Sequence, residues 1–403
     1  MDSLFFVAKD GEEFTYSRLI HDLNSCTQVP HYCKLLKTYD IFKTILSSIV
    51  HGIDIVLLDS DFSELELKKL AIDLDKVNKY KNVSKKQIEN KAELISLIKQ
   101  ARDWRVSLYT SGTTGIPKKI THRLDNLTRL ARISEKHAND VWAYAYNPTH
   151  IAGIQVFFQS ILNGNGMIDV FKLSSDDVMK RINGYNITNI SATPTFYRML
   201  LPLCSEYPSV RRITSGGESF DPHLSGHLEK AFPNAKLRNI YASTEAGSVL
   251  ESNNDKFVIT CPDQCKIVDN RLFIHMSLLG VDDATEGWYD TGDLVEVVDP
   301  EVQEFVFIGR DNELVNVGGL KANPLEIEQV LCLHPSISKA RVWGKTNPVV
   351  GTILVAEVVT MNSCSEAELR AFLKENLQDY KIPRVISFVD NIDLTRSGKV
   401  KRI

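Results

Sequence analysis

Apolar and polar positions along this chain switch repeatedly between a period of two and a helical period. Arg105-Val-Ser-Leu-Tyr109 alternates as a half-buried strand does, and Ile53-Asp-Ile-Val-Leu-Leu58 is apolar enough for a buried one. Residues 62–74 repeat at helical spacing, as do 124–130. A strand-like run at 187–192 passes through Thr193-Pro194 into a helix predicted to reach residue 203. Short strands follow at 210–214, ending on Gly216-Gly217, and at 236–240. Strands alternating with helices predict an α/β protein built of layered, mainly parallel sheets. Residues 76–99 are lysine-rich and read as a solvated connector or surface helix. Near the C-terminus, Asn323 is a good N-cap and Pro324 suits the first helical turn. Ile327, Val330 and Leu331 then line one helix face, in what reads as a small α+β unit.

Composition narrows the class. A chain of 403 residues is long enough for two or more domains and a sizeable core. With 47 Lys and Arg against 51 Asp and Glu, the net charge is −4 and no long basic block occurs, so nucleic-acid binding has no support. No stretch approaches the roughly 18 apolar residues of a membrane span, and the first ten residues lack a signal-peptide pattern. Seven cysteines, without a paired CxxC pattern, read as reduced thiols of a cytoplasmic protein. Cys261 and Cys265 read as two unrelated thiols rather than a partial metal site.

The densest chemistry lies in Tyr109-Thr-Ser-Gly-Thr-Thr-Gly-Ile-Pro-Lys-Lys119. Preceded by a strand and followed by a helical pattern, it reads as a phosphate-binding loop, with backbone N–H groups, hydroxyls and Lys118 as donors. It is not a Walker A loop, because Pro117 precedes Lys118 and Lys119 follows where Ser or Thr would stand. Downstream, Tyr241-Ala-Ser-Thr-Glu245 sets a hydroxyl and a carboxylate at a strand end, where ligands bind in open α/β sheets. Glu245 suits Mg²⁺ shared with phosphates. Asp293, in Tyr289-Asp-Thr-Gly-Asp293, suits a ribose diol, and Arg310 closes another strand within reach of a sugar or phosphate.

Taken in order, these segments resemble the adenylate-forming superfamily of acyl- and aryl-CoA synthetases, peptide-synthetase adenylation domains and luciferases. Asp10-Gly-Glu-Glu-Phe-Thr-Tyr-Ser-Arg-Leu19 resembles its opening segment, Asn147-Pro-Thr-His-Ile-Ala-Gly153 its histidine segment and Ser215-Gly-Gly-Glu218 its adenine segment. Leu394-Thr-Arg-Ser-Gly-Lys-Val-Lys-Arg402 resembles its C-terminal lysine motif. The resemblance implies a large N-terminal domain (1–309), a hinge (310–312, with Asp311 and Asn312) and a small lid domain (313–403). It further implies a carboxylic acid activated by ATP to an acyl-adenylate, then transferred to a thiol of CoA or of a carrier protein's phosphopantetheine. A separate acyl carrier protein is thereby a candidate partner. An amine acceptor, or a catalytically impaired nucleotide-binding regulator, stays open as an alternative.

The same resemblance assigns roles. Lys399 reaches the carboxylate and bridging oxygens as charge develops; Thr244 contacts the α-phosphate and Glu245 the Mg²⁺. Thr110, Ser111, Gly112, Thr113, Thr114, Gly115 and Lys118 hold the outer phosphates. Gly216, Gly217, Glu218 and Tyr241 surround the adenine, with Tyr241 stacked on it, and Asp293 and Arg310 hold the ribose. His150 stands between the acid pocket and the thiol tunnel, and Gly318 and Gly319 form the thiol-side loop. Ile151, Gly153, Thr193, Thr195, Ser215, Ala242 and Ser243 are expected in the acid pocket. They are small or mildly polar, which suits a modest acyl or aryl acid. Asn147-Pro-Thr-His150 lacks the aspartate that holds an α-amino group, so an amino acid is disfavoured. Departures are Lys119 in place of glycine, an abbreviated N-terminal lobe and Asn312 at the hinge position.

Overall fold

The computed structural model describes residues 2–109, 118–203, 205–218, 222–280, 286–317, 320–347 and 351–393. Its largest sheet has eight strands. From one edge they are Gly247–Ser252, Lys236–Ser243, Arg212–Gly216, Asn189–Ala192, Val141–Tyr144, Gly166–Asp169, Leu4–Val7 and Glu13–Thr15. The inner six run parallel and each edge strand is antiparallel. Parallel strands covered by helices on both faces read as continuously buried, which Asn189–Ala192 and Gly166–Asp169 are. A second sheet orders Tyr32–Cys33, Ile55–Leu57, Arg105–Tyr109 and Lys119–Arg123, the last pair antiparallel.

Helices Tyr16–Asn24, Thr38–Val50, Lys91–Gln100 and Ile151–Ile161 bury their apolar faces in one core shared with both sheets. Phe42 stacks on Phe157 at 4.3 Å near its centre. Ser175–Gly184 and Pro194–Leu200 contribute to the core on the other side of the large sheet. The lysine-rich stretch thus does more than cover the surface: Leu94 and Ile98 are fully buried.

The helices predicted over 62–74 and to residue 203 are shorter, Glu64–Lys69 and Pro194–Leu200, and two larger departures bear on the site. The segment after the glycine-rich loop is first a strand, Lys119–Arg123, paired back onto Arg105–Tyr109; only Leu124–Leu127 is helical. Ile120 and His122 alternate inward while Lys119 and Arg123 stay exposed, so a period of two wins over the helical one. The loop therefore joins a hairpin rather than opening a helix. Lys119 opens the second strand with its side chain exposed. The second departure is a five-stranded antiparallel sheet, in the order Lys256–Val258, Glu304–Arg310, Trp288–Asp299, Arg271–His275, Cys265–Val268. It packs around Phe257, Leu272, Val295 and Phe305.

The C-terminal unit has its own core. Strands Ile337–Asn347, Gly351–Thr360 and Val385–Phe388 carry helices Pro324–Leu333 and Glu366–Asn376, which bury Ile327, Leu331, Leu369 and Leu373. Asn323 caps the first helix by accepting from the Leu325 N–H at 3.0 Å. Ser365 and Glu368 form a reciprocal capping box on the second. Val315–Val317 pairs with Leu320–Ala322 as a hairpin ahead of them; Gly318 and Gly319 lie outside the described residues.

Truncating Phe42 to Ala would open a cavity where two sheets share a core. The expected cost is about 3–5 kcal/mol, read as a lowered urea midpoint by intrinsic fluorescence.

Candidate functional site

A cleft of about 1920 Å³ runs between the C-terminal ends of the large sheet's strands, the five-stranded sheet and the C-terminal unit. The Asp293 carboxylate lines it. Thr291-Gly292 forms a bulge within strand Trp288–Asp299, with Gly292 at φ +72°, a conformation suited to glycine, and the Asp293 N–H donates to Thr291 Oγ1 at 3.1 Å. Asp293 then stands opposite Arg310 in the antiparallel register. Arg310 Nε donates to Oδ1 at 2.8 Å, and the Tyr241 hydroxyl donates to Oδ2 at 2.5 Å. Asp293 is only 6% exposed, so these charge-assisted bonds are screened little. Burial, reinforced by the Asp293 charge, pushes the Tyr241 phenol well above its ordinary value, so it remains a donor. The Tyr241 ring stacks on Phe307 at 4.5 Å with 16° between planes. The segments read separately as adenine and ribose binders thus form one cluster.

Beside it, strand Lys236–Ser243 turns through Thr244 and Glu245 into Gly247–Ser252. The turn's carbonyls are held from three directions. His122 Nε2 donates to Thr244 O at 2.7 Å, and the Gly280 N–H donates to Glu245 O at 2.7 Å. Arg129 Nη2 donates to Ala246 O at 3.1 Å and Ser248 O at 2.8 Å. Burial holds the His122 ring below the ordinary imidazole value, so it is neutral with its proton on Nε2. With its backbone so fixed, Glu245 faces the cleft. A single hard carboxylate there fits Mg²⁺ that completes its shell with phosphate oxygens and water rather than protein ligands. Among the described residues there is no group of three or more His, Cys, Asp or Glu suited to a metal, Cys261 and Cys265 included.

Glu218 carries a structural bond as well as facing the cleft. Its Oε2 accepts from Thr195 N at 2.9 Å and Thr195 Oγ1 at 2.8 Å, tying the Gly216-Gly217 turn to the helix Pro194–Leu200. Ile151, Thr193, Thr195, Ala242 and Ser243 line the cleft; Gly153 and Ser215, expected with them, do not. Ser215 is 1% exposed because strand alternation turns it away from Thr214 and Gly216. Gly153 is packed behind the wall: a Cβ there would lie 2.3 Å from Asn147 O and 2.5 Å from Tyr144 Oη.

His150, also on the cleft wall, precedes the helix Ile151–Ile161. Its Nε2 lies 2.9 Å from Oδ2 of Asp59, a buried residue just past strand Ile55–Leu57. Asn147 Nδ2 donates to both Asp59 oxygens, at 3.1 and 3.0 Å. Lys118 is exposed and lines the cleft. Thr110, Ser111, Gly112, Thr113, Thr114, Gly115 and Lys399 lie outside the described residues. Asp311 bridges the large domain and the C-terminal unit, accepting from Arg271 Nη2 at 2.5 Å and Lys321 Nζ at 2.8 Å. Nothing is described for the Asn312 side chain. Asp59, His122 and Arg129 were not singled out by the sequence. The inward alternation of His122 was the one available signal.

Residues 44–273 match the model of the AMP-binding enzyme family, and residues 326–399 match that of the AMP-binding enzyme C-terminal domain. The 2-succinylbenzoate–CoA ligase of Bacillus subtilis is 28% identical over 387 residues, covering 87% of this chain and 77% of that protein. The corresponding ligase of Bacillus pumilus is 30% identical, covering 73% and 67%. The oxalate–CoA ligase of Arabidopsis thaliana is 25% identical, covering 76% and 68%. In fold, the chain is similar to the o-succinylbenzoate CoA synthetase of Bacillus subtilis in complex with an acyl-adenylate intermediate. The TM-score is 0.74 at 21% identity, over 99% of this chain and 94% of that one.

Because the His122 ring is held neutral, the unfolded chain binds its proton first on acidification. Stability is therefore expected to fall as pH drops below about 6.5. His122→Gln keeps a donor to Thr244 and removes the titration. Urea midpoints measured from pH 8 to 5 should fall less steeply for the variant than for wild type.

Proposed function

Since this chain belongs to the AMP-binding enzyme family, we propose that it is an AMP-forming acid–thiol ligase, with the Asp293–Arg310–Tyr241 cluster as its nucleoside anchor. The single observation carrying this reading is that cluster, set beside the clamped Thr244–Glu245 turn in one cleft. A carboxylate buried and already hydrogen-bonded presents its remaining lone pairs to a ribose diol with no reorganisation. Tyr241 and Phe307 supply an aromatic wall for adenine. Thr244 takes the α-phosphate, while Gly216, Gly217 and the Glu218 turn border the base.

In the first half-reaction the acid's carboxylate attacks the α-phosphorus of ATP and pyrophosphate leaves. Two anions must approach, so positive charge and alignment dominate the barrier. Lys118 and Lys399 supply that charge in this reading, and the hydroxyls of Thr110, Ser111, Thr113 and Thr114 donate hydrogen bonds to the phosphates. Mg²⁺ at Glu245, when bound, neutralises phosphate oxygens. In the second half-reaction a thiol attacks the acyl carbon and AMP leaves, with Gly318, Gly319 and His150 on the thiol side. The domain limits 1–309 and 313–403 with a pivot at Asp311 and Asn312 belong to the same reading; the Asp311 bridge spans that junction. The small residues Ala242, Ser243 and Thr193 suit a modest acyl or aryl acid. The named relatives make 2-succinylbenzoate and oxalate the first acids to try. CoA is the favoured thiol, with a carrier-protein phosphopantetheine as the competing acceptor. The thiols of Cys26, Cys33, Cys261, Cys265 and Cys364, none of them in a disulfide, fit a reducing, cytoplasmic setting.

The test is an acid panel with ATP and Mg²⁺, followed by pyrophosphate exchange and AMP release. At least one acid is expected to drive both, and Lys399→Ala to slow adenylation by about 100- to 1000-fold. Absence of acid-dependent AMP from the whole panel would overturn the reading. CoA and holo carrier proteins, compared as acceptors with the productive acid, separate the two thiols.

A further inference from the structure

The pairing of His150 with a buried carboxylate goes beyond what an acid pocket needs. His150 caps no backbone N–H with its side chain, although it occupies the residue before the helix Ile151–Ile161. Its ring is turned instead to Asp59, 91 residues earlier in the chain. Both Asp59 oxygens accept from Asn147 Nδ2, and that amide cannot be reversed, because Asn147 Oδ1 itself accepts from Thr149 N at 3.0 Å and Thr149 Oγ1 at 2.9 Å. The chain through 147–150 is thus folded around one carboxylate. The loop is closed further by the His150 N–H, which donates to Asn147 O at 3.2 Å.

A carboxylate so surrounded by donors acts as an acceptor, so the imidazole proton sits on Nε2. In the neutral ring, Nδ1 then carries the lone pair. A ring lining the cleft, with its tautomer set by a buried acid, has the arrangement of a general base oriented by a third group.

We propose that Asp59 is a positioning residue that sets His150 as the proton acceptor for the thiol in the second half-reaction, a role that rests on the ligase reading above. The thiol S–H gives its proton to Nδ1 as the carbon–sulfur bond forms. The acyl carbon–oxygen bond to the phosphate of AMP breaks, and AMP departs with that electron pair. Asp59 stabilises the imidazolium until its proton passes to water in the cleft. The first half-reaction needs no such transfer, because an ionised carboxylate is already a nucleophile.

The two half-reactions therefore separate the roles. In Asp59→Asn, thioester formation from preformed adenylate with CoA is expected to slow by about 100-fold, and pyrophosphate exchange by far less. Asp59→Glu, which keeps the carboxylate, should recover part of the loss. In a His150→Gln background, Asp59→Asn should add nothing further to the thioester step. Equal slowing of both half-reactions, or an undiminished effect in the His150→Gln background, overturns the proposal.

A measurement independent of turnover uses the full chain with ¹⁵N-labelled histidine. The ring signal lost in His150→Gln should report an Nε2–H tautomer in wild type and a tautomer mixture in Asp59→Asn. A tautomer unchanged in Asp59→Asn overturns the positioning role even in an active enzyme. If no acid yields AMP with wild type, the ligase reading fails, while the tautomer result still judges Asp59.

Discussion

The site depends on the backbone of the turn from Thr244 to Ser248. Buried carbonyls need donors, and here each donor comes from a different part of the fold. His122 comes from the four-stranded sheet, Arg129 from just beyond the short helix that follows it, and Gly280 from the segment after strand Arg271–His275. The turn itself continues the eight-stranded sheet. Three sheets meet where Glu245 must be held, and none of them could fix that turn alone. Gly280 shows how close the meeting is: a Cβ there would come within 2.5 Å of Thr121 O.

A second constraint is electrostatic. Asp293 would be costly to bury alone, and Arg310 and Tyr241 remove that cost only through antiparallel register across 17 residues and a stacked ring from another sheet. Asp59 is treated alike, with Asn147 and His150 arriving from a distant loop. Two parts of the cleft wall are thus organised around one buried carboxylate each. One is held by a permanent cation, the other by groups that include an imidazole able to take up a proton.

What could be read from the chain divides along the same line. Asp293 and Arg310 were legible because each closes a short local motif, and Asn323 and Pro324 because capping is a neighbour effect. The strand at Lys119–Arg123 was obscured by the helical spacing that follows it, and it turned an expected strand–loop–helix into a hairpin. Asp59 carried no local signature, and His122 only its inward alternation in a short strand. Their partners lie 91 and 122 residues away, and only the stacking of sheets brings them together. Gly153 had a functional context in the sequence, yet its smallness serves contact with Asn147 and Tyr144 rather than a pocket wall. The reaction class lies in motifs; the supports of those motifs lie in long-range topology.

The junction at Thr244–Ser248 has a thermodynamic side. A ligand that closes on a surface assembled from three sheets can recognise only the folded chain, since no single segment retains that surface once the sheets part. Occupancy and folding are then linked by mass action, and a hundredfold excess over the dissociation constant adds about 2.7 kcal/mol to stability. The junction that holds the turn in place is also where a bound nucleotide would clasp the sheets together.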